Sequence, residues 1–400
     1  MNPEVMTARS AIESLRSGVP SRHAAARLGT TQRDIQEQFS AALSDAGQGI
    51  GTTPIVISAN FGTGKSHLLD YLSSLAEREN FVTSSVVISP EMPLGSGHLV
   101  LKAIAETSSA PGRTGKALQT LMADLPAASV EYQQLRDRAR ESGIADRFNA
   151  LLTLYREFRT EGELRAQILL DFEGKPLLKT LVRKHLKEIG QAADYDLSSS
   201  PNALLAHDRI RLLAHSYRAA GCRGLIVLFD EVERTAKFSL KQRVAAYKEL
   251  DWWRQVAESE NSFLLPVFAT ARGFLEETVT GGTRDAARFA PGEPGAGGID
   301  LLKRFLLLDT PSREEEEDIK YRVKGLYEEA YGVGVPALPR TDVRTSIRSE
   351  IRRWIAQWDI LRFYPDYRPQ VIEDAMQFDT STVADDELAE FAAEDAAVEE

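Results

Sequence analysis

Apolar positions along this chain follow two rhythms. Residues 55–57, 225–229 and 263–269 are near-continuous apolar runs. Runs of that length, closed by turn residues, suit parallel strands buried on both faces. Residues 82–88, closed by Pro90 and Pro93, and residues 304–308 read as two further strands. Elsewhere apolar residues recur every three or four positions, the spacing of amphipathic helices. The first 50 residues predict helices over 5–16, 22–28 and 31–43, broken at Gly18-Val19-Pro20 and at Gly29. A helix over 65–79 follows the first strand. Between the second and third strands lies a stretch longer than one crossover helix needs. It predicts helices over 99–107, 117–123, 130–142, 145–159, 161–170, 177–189 and 203–219. Helices over 240–258, from about 314 to 331, and over 341–358 follow the later strands; residues 280–299 are Gly-rich and read as an irregular, flexible loop.

The resulting organisation is a helical lead-in over 1–50 and a core over 51–333. A helical insertion at about 98–220 interrupts the core. A small helical lid over 334–378 and an acidic, disordered tail over 379–400 complete it. The apolar stripe Val343, Ile347, Ile351, Ile355 and Trp358 docks the lid helix. Trp252-Trp253 read as core.

The first strand runs into Ala59-Asn60-Phe61-Gly62-Thr63-Gly64-Lys65-Ser66, then His67-Leu68-Leu69-Asp70-Tyr71-Leu72. Strand, Gly-containing turn, Lys-Ser and helix make a phosphate-binding loop. Backbone N–H groups from Asn60, Phe61, Gly62, Thr63, Gly64, Lys65, Ser66 and His67, with the positive end of the helix, would hold phosphates. Lys65 can reach the β- and γ-phosphates of ATP, and the Ser66 hydroxyl can serve Mg²⁺. The usual motif is G-x-x-x-x-G-K-[ST]; Ala59 stands where its first Gly is expected. The third strand ends in Asp230-Glu231, at the edge where open α/β sheets bind ligands. Asp230 would hold Mg²⁺ and Glu231 would polarise the attacking water. The fourth strand ends at Thr270-Ala271-Arg272, where a polar or cationic residue would face the γ-phosphate.

Composition narrows the classes. The chain has 400 residues, 43% hydrophobic and 27% charged, with a formal net charge of -11. That balance is globular and excludes a globally basic nucleic-acid binder; DNA contact would need local patches. Three such patches stand out, the first two of which read first as ordinary solvated faces. Lys179, Arg183 and Lys187 lie at spacing four with Lys184 and His185 beside them. Arg344, Arg348 and Arg352 lie on the lid helix. Residues 22–39 resemble a helix-turn-helix, although two short helices joined by a Gly turn read first as a helical lead-in packed beside the nucleotide pocket. Single Cys222 precedes a core strand and fits a buried thiol in a reducing cytoplasm. No signal peptide or membrane-spanning stretch is legible. The six histidines lack metal-ligand spacing.

Five strands in this order, followed by a lid, resemble an AAA+ type P-loop ATPase core over 50–378, apart from the insertion. The resemblance implies a parallel sheet ordered 5-1-4-3-2, flanked by helices. It also implies Thr270 or Arg272 as a first sensor, Arg304 as an arginine finger and Arg368 as a second sensor on the lid. A closer resemblance rests on the stretches 11–20, 59–66 and 224–233. They are similar to the ATP-binding proteins of BREX-type bacteriophage-defence systems. That implies a cytoplasmic Mg-ATP-dependent ATPase serving a DNA-directed defence complex. Its partners would be further copies of the chain, or a partner ATPase, helicase or nuclease. DNA would be met directly or through that partner. Alternatives are a nucleotide-regulated switch or scaffold with little turnover, and a DNA-binding regulator acting through 22–39.

Overall fold

The computed structural model describes residues 3–364 apart from 61, 198–201, 280–284, 286–288, 290–291 and 340–345. Chain packing divides it into Met1–Trp358 and Asp359–Glu400; of the second unit only the end of one helix is described. Arg344, Val343, Arg368, the acidic tail and much of the expected lid lie outside the described residues.

Three helices open the chain: α1 (Pro3–Ser17), α2 (Arg22–Leu28) and α3 (Arg33–Gln48). Ser21 caps α2 by accepting from the Ala24 N–H, which satisfies a donor left free at a helix start. Then come β1 (Ile55–Ala59), α4 (Lys65–Arg78) and β2 (Val82–Val87). Seven helices follow among the described residues: α5 (Gly97–Thr107), α6 (Ala117–Asp124), α7 (Val130–Glu141), α8 (Asp146–Glu157), α9 (Gly162–Phe172), α10 (Lys179–Glu188) and α11 (Asn202–Ala219). Strand β3 (Leu225–Asp230) leads into a 3₁₀ turn, Val232–Lys237, and α12 (Leu240–Glu258). Strand β4 (Leu264–Ala271), α13 (Ala296–Leu302), β5 (Phe305–Leu307), α14 (Arg313–Tyr331) and α15 (Ile347–Phe363) complete the order.

All five strands are parallel, in the order β2-β3-β4-β1-β5. This is the 5-1-4-3-2 order that the resemblance implies. Successive side chains of a strand point to opposite faces, so the sheet carries two apolar layers. Ile57, Ile226, Leu228, Leu265 and Val267 meet Phe39 and Leu43 of α3 and Leu68 and Leu72 of α4. Val56, Val227, Phe229, Leu264 and Phe268 share the other layer with residues from the α5–α11 helices and Trp253 of α12. Each large apolar side chain buried this way contributes roughly 1.5–3 kcal/mol.

One sequence expectation changes here. Residues 296–299, expected to be irregular, open helix α13. Their glycines serve close packing: a Cβ on Gly298 would stand 2.1 Å from the Tyr247 carbonyl oxygen on α12. Residues 22–39 pack as the helical lead-in that the sequence favours. Ala24, Ala25 and Leu28 of α2 and Ile35, Phe39 and Leu43 of α3 are buried. The exposed face of α3 carries Asp34, Glu37 and Gln38 with a single cation, Arg33, a poor match to DNA phosphates.

Candidate functional site

The turn after β1 is shaped by short local bonds. Thr63 donates its hydroxyl to the Asn60 carbonyl at 2.8 Å. Gly64, immediately before α4, has φ +103°, in the left-handed region that glycine alone adopts freely, although a Cβ there would meet nothing within 4 Å. Backbone conformation, not room, demands glycine at this position. Lys65 and Ser66 therefore start α4, where free N–H groups and the helix dipole favour an anion. Phe61 lies outside the described residues.

Opposite this helix start stands the end of β3. Ser66 Oγ donates to Asp230 Oδ2 at 2.8 Å, and the other Asp230 oxygen accepts the Glu231 N–H at 2.9 Å. Glu231 takes φ +59°, costly for a side chain that large, and its carboxylate pairs with Arg234. That turn carries the chain to Glu233. Lys65 Nζ donates to Glu233 Oε1 at 2.8 Å, and Glu233 Oε2 accepts the Ala271 N–H, at the end of β4, at 3.0 Å. Burial pushes the nearby Asp70 carboxyl up; Arg22 opposes this and Asp230 adds to it. Two successive residues of α4 thus meet two carboxylates three positions apart, the first of them the last residue of β3.

Beside the loop lies a largely apolar cavity of about 120 Å³. Thr63, Gly64 and His67 form one wall; the turns at Gly18-Val19-Pro20 and Gly29-Thr30-Thr31, Leu308, Pro311 and the start of α15 form the others. His67 joins these walls: its Nε2 lies 3.0 Å from the Gly29 carbonyl oxygen. Burial lowers the imidazole pKa, the hydrogen bond to Gly29 opposing it. A neutral ring fits, with Nε2–H donating. Arg348 lines the cavity with its side chain exposed.

The remaining candidates are more dispersed. Thr270 is buried and paired in register with Ser58; among the described residues neither hydroxyl has a hydrogen-bond partner. By strand alternation it shares the face of Phe268, away from α4. Arg272 is exposed and donates from Nε to Glu276 at 2.7 Å. Arg304 is exposed and precedes β5, level with Ile55 at the start of β1. That is four residues, about 13 Å, from the loop end of the strand. Arg183, Lys184 and Lys187 are exposed on α10, with Lys184 3.8 Å from Glu188. Arg368 lies outside the described residues.

Sequence reasoning brought Lys65, Ser66 and Asp230 to one place, and the structure assembles them. It missed Glu233, whose only signal was its position three residues after Asp230 on the same turn. It also missed Arg348 as a cavity residue, having placed it on a solvent stripe.

A family model described as BREX system ATP-binding protein BrxC/D matches residues 5–142 and 132–360. No curated protein and no solved structure matches the chain.

Proposed function

The chain belongs to the BREX system ATP-binding protein BrxC/D family, and on that premise we propose that it binds Mg-ATP between α4 and β3 and hydrolyses it in the service of a DNA-directed defence complex. The observation that carries this is the Ser66–Asp230 hydrogen bond at 2.8 Å, beside Lys65 at the start of a helix. A hydroxyl and a carboxylate so placed are two of the oxygens that Mg²⁺ takes alongside nucleotide phosphates. Among the described residues there is no group of three or more His, Cys, Asp or Glu suited to hold a metal by itself. Mg²⁺ held through nucleotide does not need one. Bound there, Mg²⁺ would neutralise charge on the phosphates.

The chain's own residues supply the rest of the reading. N–H groups from Asn60 to His67 cradle phosphates, and Lys65 donates to them. The cavity walled by Gly18–Pro20, Gly29–Thr31 and His67 takes the base, apolar surface against a flat ring. Arg348, at its edge, is the described lid residue best placed to meet the nucleotide, a role that sequence reasoning gave to Arg368. Glu231 polarises water once it leaves Arg234. Thr270 and Arg272 remain candidates to read the γ-phosphate from the end of β4. Arg304, at the opposite edge of its own sheet, would complete a neighbouring protomer's site, which makes a homo-oligomer or a partner ATPase part of the proposal. The lead-in over 1–50, the core over 51–333 with its helical insertion and the lid over 334–378 are the working units. Among the described residues no helix is long and apolar enough to cross a membrane, and a cytoplasmic site of action fits the single buried Cys222.

One observation favours a second reading, a switch with little turnover: Glu231 is engaged by Arg234. The Glu231→Gln variant separates them. An ATPase should lose turnover yet bind and retain ATP. Turnover equal to wild type would remove Glu231 from the chemistry, and absence of turnover in every assembly state would leave the switch.

A further inference from the structure

Glu233 has no part in the reading above, yet it holds the residue at the centre of it. Lys65 is 13% exposed and Glu233 24%. An ammonium withdrawn that far from water needs a counter-anion. The Glu233 carboxylate provides one at 2.8 Å, and its second oxygen is fixed by the Ala271 N–H at 3.0 Å. The left-handed Glu231 is what turns the chain so that Asp230 faces Ser66 while Glu233 faces Lys65.

Resting on the assignment of this loop as the ATP site, we propose that Glu233 is a positioning residue that occupies Lys65 in the empty site and is exchanged for phosphate when a nucleotide carrying β- and γ-phosphates binds. A phosphate drawing on Lys65 brings negative charge beside the Glu233 carboxylate, and like charges at that range repel. The ammonium has three donors, but the carboxylate and the phosphate compete for the same end of it. Displacing Glu233 also frees the Ala271 N–H, so occupancy of the loop is passed to the end of β4, next to Thr270 and Arg272. The carboxylate thus holds Lys65 ready and sets a threshold that only a polyphosphate overcomes.

The test is calorimetric titration of ATP and AMP into full-length wild type, Glu233→Gln, Glu233→Asp and Lys65→Ala. Gln keeps the size and an oxygen for the Ala271 N–H while removing the charge. Loss of a competing charge-assisted hydrogen bond should tighten ATP by about tenfold. AMP, which lacks the β- and γ-phosphates, should change less than twofold. Asp draws the carboxylate back by one methylene and should tighten ATP by a smaller factor. ATP affinity in Glu233→Gln that is unchanged or weaker, or a tightening shared equally by AMP, overturns the proposal. Lys65→Ala keeps the two failures apart: if it binds ATP as wild type does, the loop is not the nucleotide site; if it loses ATP while Glu233→Gln fails to tighten it, only the role of Glu233 falls.

Discussion

Asp230→Asn is the substitution that most cleanly isolates charge at the proposed Mg²⁺ position. Asp230 accepts from Ser66 through one oxygen at 2.8 Å and from the Glu231 N–H through the other at 2.9 Å. Asn preserves both contacts: its oxygen still accepts from Glu231, and its NH₂ donates to Ser66 Oγ. The backbone turn at Glu231 therefore survives, and the variant lacks one negative charge. A unit charge about 4 Å from a divalent cation is worth roughly 2–8 kcal/mol across effective dielectric constants of about 80 to 20. Most of that is recovered by water that takes the place of the lost carboxylate oxygen. The expected net loss is about 10–100-fold in affinity, the range seen when a partner of a metal site is removed. Titration of ATP in Mg²⁺ and again in EDTA reads it directly. The enhancement that Mg²⁺ gives to wild type should shrink by that factor in Asp230→Asn, while affinity in EDTA stays the same or rises slightly. A variant that keeps the full enhancement would show that the Asp230 carboxylate does not act on the cation.

Three further outcomes are expected. Gly298→Ala should lower the melting temperature sharply or abolish folding, since its Cβ would lie 2.1 Å from the Tyr247 carbonyl oxygen; a melt within about 1 °C of wild type, the shift that only about 1 kcal/mol produces in a chain of this length, would mean that α12 and α13 do not meet this way. Burial, with Arg211 and Arg138 adding to it, holds the His215 imidazole at about 3, below its ordinary 6.5. The unfolded chain then binds the extra proton first, so stability is full above pH 6.5 and is lost as pH falls from there toward 3. The loss is at most about 2 kcal/mol by pH 5; urea melts across pH should show a shallower acid slope in His215→Gln, and identical slopes would sink the assignment. ATPase rate should rise with protein concentration, and mixing Arg304→Ala with Lys65→Ala protomers should restore part of the turnover, an arginine finger being worth roughly 10³–10⁵; no recovery on mixing, with wild-type rates independent of concentration, would place any such arginine within the protomer.

The sheet was legible because parallel strands buried on both faces leave uninterrupted apolar runs, and residues 225–229 and 263–269 have the length of strands rather than of buried helices. Helix α12 was legible in its bounds, and Ser239 and Gln242 form a reciprocal cap at its start. Lys65, Ser66 and Asp230 were legible as well, since the chemistry of a phosphate-binding loop ties residue type to spacing. The partner of Lys65 was not. Which carboxylate reaches it depends on the left-handed backbone at Glu231, and nothing in Asp-Glu-Val-Glu announces that a Glu rather than an Asn or Gly will adopt it. The cavity was hidden for a different reason. Its walls come from turns at 18–20 and 29–31 and from the start of α15, brought together only by packing of α2 on α4 and by the His67–Gly29 hydrogen bond. The glycines at 292–298 suggested a flexible loop, whereas Gly298 marks a close crossing of two helices.

The claim on which the rest depends is that ATP is held at the start of α4. Calorimetric titration of ATP into wild type and Lys65→Ala, in the same Mg²⁺ buffer, tests it with one residue changed. Lys65 gives up a charge-assisted contact worth about 1.5–3 kcal/mol, and the Glu233 carboxylate it leaves behind adds repulsion against phosphate. Saturable binding to wild type and a loss of more than tenfold in the variant are expected; equal affinity in the two proteins would remove ATP from the start of α4.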